Sequence, residues 1–128
     1  MSIVLEGKVI SGLGDFSKRM SQIPGLLDVY FKKTGLCFFP GTLNIELNEP
    51  WSVPVNSMRL EKEEYGGTVS VNIVPCRFFD RKAFILRTDK NESGTGHHSK
   101  RIIEIASDIK LRDKYKLNDN DIVKIIIE

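Results

Sequence analysis

Residues 38–47 constrain the fold more than any other stretch, because a turn signal leads directly into a strand pattern. Pro40 and Gly41 interrupt whatever precedes them. Side chains two residues apart on a strand point to the same face, so the apolar side holds Leu43, Ile45 and Leu47, and the polar side holds Thr42, Asn44 and Glu46. Two interpretations of the polar side stay open. It is either the outer face of an ordinary half-buried strand or a pair of neutral oxygen ligands for a hard cation such as Mg²⁺.

Strand-like stretches recur at short intervals along the chain, over residues 3–10, 68–74, 102–106 and 122–127, with a hairpin over 77–86. One helix is predicted over residues 21–34, where Ser21 caps it, Pro24 fits the first turn and Gly35 ends it. Residues 109–115 predict one or two further helical turns. Strands at this density, without regularly alternating long helices, indicate an all-β fold. We expect one domain over residues 1–128, a small six-stranded β-barrel with one α-helix and one short helical turn.

The charge and cysteine content exclude several classes of protein. The chain carries 19 basic and 17 acidic side chains, a net charge of +2. Residues 1–76 hold 7 basic and 8 acidic side chains and residues 77–128 hold 12 and 9, which favours an anionic ligand near the C-terminal part but is too mild for a dedicated DNA or RNA binder. No signal peptide and no membrane-spanning apolar run is visible. Cys37 and Cys76 have no metal-ligand spacing and predict buried thiols in a reducing cytoplasm.

Two polar segments are candidates for ligand contacts. Residues 11–15, Ser-Gly-Leu-Gly-Asp, follow the first strand directly, so their backbone N–H groups either cradle an anion or form a plain turn. Residues 89–100 predict a long, mobile loop of the kind that closes over ligands. Within that loop, His97 and His98 lack the spacing of a zinc pair and are interpreted as surface residues.

Four blocks of residues occur in a fixed order. They are Glu-Gly-Lys-Val-Ile-Ser-Gly-Leu-Gly at 6–14, Gly-Thr-Leu-Asn at 41–44, Ile-Ile-Glu-Ile at 102–105, and Lys-Leu-Arg at 110–112 followed by Leu-Asn-Asp-Asn-Asp at 117–121. From about Leu5 to the C-terminus the chain thus resembles the archaeal-type CTP-dependent riboflavin kinases, a cradle-loop β-barrel family. The resemblance implies a phosphotransferase that uses Mg²⁺ and turns riboflavin and CTP into FMN and CDP. From the cysteine and charge content we expect a cytoplasmic protein with no nucleic-acid or membrane partner, and we expect it to be a monomer.

The resemblance also implies roles for individual residues. Thr42 and Asn44 would hold Mg²⁺, and Glu104 would meet the flavin as an orienting residue or a general base, with Thr95 and Gly96 beside it. Two groups would bind the nucleotide: Gly12, Leu13, Gly14 and Asp15 around the phosphates, and Lys110, Leu111, Arg112 and Asp113 farther along the chain. Phosphoryl transfer suits these residue types because it needs positioning and charge neutralisation more than a strong nucleophile.

The chain departs from the family pattern in three places. Asn120 stands where the family usually has the glycine of the final turn, at a position that often needs a left-handed residue, which asparagine tolerates better than most. Phe16 and Ser17 stand where the family has a further glycine and a basic residue. The segment before residues 97–104 is longer, so that Gly96 takes the position facing the flavin. The metal and nucleotide ends therefore match better than the acceptor end. Two alternatives follow, a CTP-dependent kinase of another small alcohol and a non-catalytic barrel that senses nucleotides or binds DNA, because a fold does not settle function.

Overall fold

The computed structural model describes residues 2–12, 15–96 and 98–128, and of Asp15 the backbone only. Its strands are β1 (Ile3–Ile10), β2 (Leu43–Leu47), β3 (Met58–Leu60), β4 (Val71–Phe78), β5 (Arg81–Thr88), β6 (Ile102–Ala106) and β7 (Ile122–Ile127). They form one antiparallel sheet in the order β3-β4-β5-β6-β2-β1-β7, and β4 also pairs with β7. This pairing closes six strands into a barrel and confirms that prediction. The additional strand β3 pairs with the first part of β4.

Alternation along the strands fills the barrel interior with apolar side chains. Leu43, Ile45 and Leu47 belong to the interior cluster, which confirms the predicted apolar face of β2. Ile103 and Ile105 of β6 join the same cluster. Because successive strand residues point to opposite faces, Asn44 and Glu104, which lie opposite each other across β2 and β6, point out of the barrel.

A second apolar core lies outside the barrel, where two helices cover β4, β5 and β6. Helices α1 (Asp15–Gln22) and α2 (Leu26–Thr34) contribute Phe16, Met20, Leu26 and Tyr30, which pack with Phe84, Leu86 and Ala106. The single helix predicted over residues 21–34 is wrong in its first part. Gly25 adopts a left-handed φ of 80° and separates the two helices, whereas Gly35 ends α2 as predicted.

Two short helices stand in the C-terminal half, α3 (Asp89–Ser93) and α4 (Leu111–Lys114), and a 3₁₀ turn covers Lys62–Glu64. The prediction of one helix and one helical turn is therefore wrong, since the described residues form four α-helices. Residues 89–100 begin with a helix because the side chain of Thr88 accepts a hydrogen bond from the Asn91 N–H and caps α3. No helix in the described ranges has the length and apolarity needed to cross a membrane.

The two cysteines differ in exposure. Cys76 is buried as predicted, and its burial raises the pKa of the thiol to about 12. Cys37 is exposed, so the prediction of two buried thiols is wrong for this residue. Its chain neighbour Phe38 occupies the second core instead, packed between Tyr30 and Phe84.

Candidate functional site

A cleft of about 440 Å³ opens where the end of β1, the approach to β2 and the start of α4 meet. Strand register explains the convergence, because Ile10 lies opposite Asn44, and Asn44 in turn lies opposite Glu104. The sequence-predicted residues on the cleft wall are Gly12, Thr42, Asn44, Lys110, Leu111 and Arg112. The predicted metal ligands and part of the predicted nucleotide site therefore share one cleft.

Thr42 connects the cleft to Glu104. The Thr42 hydroxyl donates a 2.9 Å hydrogen bond to Glu104 Oε1. Because its proton is directed at the carboxylate, the hydroxyl oxygen keeps lone pairs for another partner. Glu104 itself is only 5% exposed and does not appear on the cleft wall, so it reaches the cleft through Thr42.

Asn44 presents an unsatisfied acceptor. Its side chain is 7% exposed, and its Oδ1 has no hydrogen-bond partner among the described residues. A buried polar atom left unpaired costs about 1–3 kcal/mol, so this oxygen favours a cation or a donor. Thr42 and Asn44 both offer neutral oxygens, which Mg²⁺ accepts together with waters and substrate phosphates. The pair therefore fits the predicted ion, and the described part of the chain has no cluster of three or more His, Cys, Asp or Glu side chains that could hold a metal.

Gly12 packs directly against this acceptor. A Cβ added at Gly12 would lie 2.2 Å from Asn44 Nδ2, and the buried asparagine has little room to move away. The position therefore requires glycine for close approach. Of the other residues predicted to hold phosphates, Leu13 and Gly14 lie outside the described residues, and Asp15 begins helix α1.

The basic wall of the cleft comes from Lys110 and Arg112, while Leu111 anchors α4 in the barrel core. Arg112 Nη2 donates to Asp119 Oδ1 at 2.9 Å, and the Ser11 hydroxyl donates to the other carboxylate oxygen at 2.9 Å. Both bonds lower the pKa of the Asp119 carboxyl group, and the bond from Ser11 has the larger effect. Asp113 is exposed and is not on the wall. Sequence reasoning missed Asp119 and Ser11, although both stand inside matching blocks.

The predicted acceptor residues lie apart from the cleft. Thr95 and Gly96 follow α3, where both backbone N–H groups bond to Lys90 O, and neither lines the cleft. The same segment carries His98, whose Nδ1 lies 3.7 Å from Glu104 Oε2, and the side chains of the two residues are 9% and 7% exposed. The interpretation of His98 as a surface residue is therefore wrong, and His97 is outside the described residues. Thr42, Glu104 and His98 form a line from the cleft to the acceptor segment.

Arg87 holds this segment in place, and it was not among the residues predicted from the sequence. Its side chain is 2% exposed, and Arg87 shares a face of β5 with Ala83 and Ile85 of the barrel interior. The guanidinium donates to the carbonyls of Trp51, Lys100 and Ile102 and to Glu92 Oε1. An arginine within the alternating pattern of β5 was the available signal, since a buried charge is costly without partners.

Residues 9–127 match the family model named for CTP-dependent riboflavin kinases, described as a domain of unknown function, DUF120. Among curated proteins, the chain is similar to the riboflavin kinase of Staphylothermus marinus, with 31% identity over 99% of this chain and 93% of the relative. The riboflavin kinase of Methanocella arvoryzae is 31% identical over 98% of this chain, and that of Methanosarcina mazei is 32% identical over 94%. The chain spans only 57% and 54% of these two longer relatives.

Proposed function

Because the chain belongs to the CTP-dependent riboflavin kinase family, we propose that it transfers the terminal phosphate of CTP to the ribityl hydroxyl of riboflavin, giving FMN and CDP. One observation carries the proposal. A single cleft combines a glycine at close approach, two neutral oxygen ligands and a basic wall, on Gly12, Thr42, Asn44, Lys110 and Arg112. Phosphoryl transfer requires this combination because positioning and charge neutralisation lower its barrier.

The triphosphate lies along the end of β1 and the start of α4 in this proposal. Gly12 lets the backbone approach the phosphates, in the segment that also contains Leu13, Gly14 and Asp15. Lys110 and Arg112 supply positive charge, with Leu111 and Asp113 on the same short stretch. Arginine suits phosphate oxygens because its planar N–H donors form paired, charge-assisted hydrogen bonds. Asp113 is exposed and does not line the cleft, so the proposal gives it no direct contact with the phosphates.

Thr42 and Asn44 hold Mg²⁺ in the proposal, supported by the unpaired Oδ1 of Asn44 and the directed hydroxyl of Thr42. When bound, the ion neutralises phosphate charge and orients the phosphoryl group. Glu104 fixes the direction of the Thr42 hydroxyl through Oε1, so the threonine oxygen faces the cleft with its lone pairs.

Glu104 also accepts the proton of the attacking hydroxyl. The ribityl oxygen forms a bond to the terminal phosphorus, the bond from that phosphorus to the bridging oxygen breaks, and CDP leaves with the electron pair. The hydroxyl proton passes to the carboxylate of Glu104, which the His98 ring faces at 3.7 Å. Thr95 and Gly96 contact the acceptor, supported by the link from their segment to Glu104 through His98.

The experiment is an assay for FMN and CDP after incubation with Mg²⁺, riboflavin and either CTP or ATP. The proposal expects FMN and CDP in equal amounts, with CTP as the better donor. FMN from ATP alone contradicts the choice of nucleotide. CTP turnover that needs another alcohol contradicts the flavin acceptor, and nucleotide binding without any turnover contradicts catalysis.

The remaining elements of the proposal concern the whole chain. Residues 1–128 act as one kinase domain, supported by two apolar cores that share strands β4, β5 and β6. The enzyme works in the cytoplasm as a monomer on small-molecule substrates, without nucleic-acid or membrane partners. The proposal of no nucleic-acid partner is supported by the mild net charge of +2, which attracts polyanions only weakly.

A further inference from the structure

Three side chains form a hydrogen-bonded group at the edge of the cleft, which we call the carboxylate bridge: Ser11, Arg112 and Asp119. Asp119 occupies its centre. Its Oδ1 accepts from Arg112 Nη2 at 2.9 Å, and its Oδ2 accepts from the Ser11 hydroxyl at 2.9 Å. Ser11 directly precedes Gly12, so one carboxylate joins both sides of the proposed phosphate site.

The backbone around Asp119 is held firmly. The Asn120 N–H donates to Val9 O at 2.7 Å, and the Val9 N–H donates to Asp121 O at 2.8 Å. Asn120 takes a left-handed φ of 76°, which asparagine tolerates better than most residues. The turn is therefore tied to the end of β1, and Asp119 points at Arg112 from a fixed platform.

The bridge also limits how Arg112 can point. Its Nη2 additionally donates to Ile10 O and its Nη1 to Leu117 O, each at 3.4 Å. These contacts use three of its five N–H donors among the described residues and leave two for a ligand in the cleft. A guanidinium fixed in this way loses less side-chain freedom when it binds phosphate than a free one does.

We infer that Asp119 is a positioning residue that orients Arg112 and Ser11 toward the phosphates of the nucleotide. The inference rests on the proposed function for the identity of that nucleotide. An acidic side chain beside an anion site weakens the binding of the anion by repulsion unless another effect outweighs it. The orienting effect on Arg112 must exceed the repulsion between Asp119 and the phosphates.

A double-mutant cycle tests the inference by calorimetric titration of CDP in the presence of Mg²⁺, together with the KM for CTP and for riboflavin. Asp119→Ala is expected to weaken CDP binding about tenfold. The near-isosteric Asp119→Asn should weaken it about threefold, because its single amide oxygen can keep the bond from Arg112, whereas the charge and the second acceptor oxygen are lost. The KM for riboflavin should stay unchanged. In an Arg112→Ala background the effect of Asp119→Ala should fall below about twofold, because Asp119 acts through the arginine.

Glu128→Gln is the matched control, since it removes the charge from another exposed ion pair, Arg77–Glu128 at 3.1 Å, neither residue of which lines the cleft. It should leave CDP binding unchanged, and circular dichroism checks the fold of each variant. Tighter CDP binding by Asp119→Ala overturns the inference in favour of simple repulsion. An undiminished effect in the Arg112→Ala background also overturns it. Because CDP binding is measured without turnover, a wild-type protein that makes no FMN refutes the proposed reaction while the cycle still decides the role of Asp119.

Discussion

Two arginines, Arg87 in β5 and Arg112 in α4, differ sharply in burial. The side chain of Arg87 is 2% exposed and bonds to Glu92 Oε1 at 3.0 Å, whereas that of Arg112 is 32% exposed and bonds to Asp119 Oδ1 at 2.9 Å. The two distances are nearly equal, but their surroundings are not. Burial lowers the pKa of Arg87, and the bond to Glu92 opposes that effect. The buried charge depends on its partners, while water can replace any partner of the exposed one.

This difference separates stability from ligand binding. Arg87 donates to the backbone carbonyls of Trp51, which follows β2, of Lys100 just before β6 and of Ile102 at its start. Its guanidinium carbon lies 5.1 Å from the ring centre of Trp51. Arg87 belongs to the framework that carries the proposed acceptor residues, Thr95 and Gly96. Arg112 keeps N–H donors that bond to no described residue, so we expect it to contribute to ligand binding more than to stability. Variants at the two positions should therefore change different measurements.

The largest expected effect is on stability, for Arg87→Ala. The substitution leaves the Trp51, Lys100 and Ile102 carbonyls without their donor and opens a cavity, which should lower the free energy of unfolding by about 3–5 kcal/mol. Urea denaturation measures this loss. Arg77→Ala, at an exposed arginine on β4, serves as the control and should change stability by less than about 0.5 kcal/mol. Equal losses for the two variants would remove the distinction between buried and exposed arginines.

The next effect is on catalysis, for Asn44→Ala and Thr42→Ala. Each removes one proposed oxygen ligand for Mg²⁺, and each should lower kcat/KM by at least about 100-fold. Thermal unfolding and circular dichroism should show a folded protein. Glu46→Gln, two residues farther along the outward side of β2, is the matched control and should retain activity. Full activity in both Asn44→Ala and Thr42→Ala would show that the metal assignment is wrong.

The sequence predicted what depends on local alternation. The inward face of β2, the strand Ile102–Ala106 and the left-handed Asn120 all follow from short-range pattern and conformational preference. The helix break at Gly25 was missed because the proline before it also fits a first helical turn. The burial of Cys37 and His98 was predicted wrongly because it depends on which of several neighbouring side chains enters a core. That choice is determined by contacts with residues distant in sequence.

The candidate site also contains residues that were predicted and residues that were missed. The predicted group Gly12, Thr42 and Asn44 came together because strand register brings the ends of β1 and β2 side by side. Asp119 and Arg87 escaped prediction because each bonds to a partner far away in sequence, Ser11 and Trp51 respectively. His98 escaped it because its contact with Glu104 depends on how the segment before β6 docks. Such pairings follow from barrel closure and loop docking, which residue periodicity does not encode.

A moderate effect is expected for Gly12→Ala. Its added Cβ would lie 2.2 Å from Asn44 Nδ2, so the asparagine must shift and its Oδ1 must turn from the cleft. Activity should fall about tenfold or more, since small displacements of positioning groups have large costs. Gly66→Ala is the control. Gly66 has open space around it but a φ of 70°, so that variant should lose about 1 kcal/mol of stability and keep its kcat/KM. The reverse result would mean that Gly12 does not position the cleft.

The smallest expected effect is on the free energy of unfolding, for Asp119→Asn in the exposed pair Arg112–Asp119. Bonds from Ser11 and Arg112 lower the pKa of Asp119 in the folded protein, so its contribution is present above the unfolded pKa of about 4 and is lost as the pH falls through the folded value. Wild type and variant should therefore differ slightly at pH 7 and converge near pH 2. The difference should be small because water and salt screen an exposed ion pair. Urea denaturation at both pH values measures the difference. A large loss at pH 7 would show that Asp119 supports the fold as Arg87 does, and its effect on nucleotide binding would then need no positioning role.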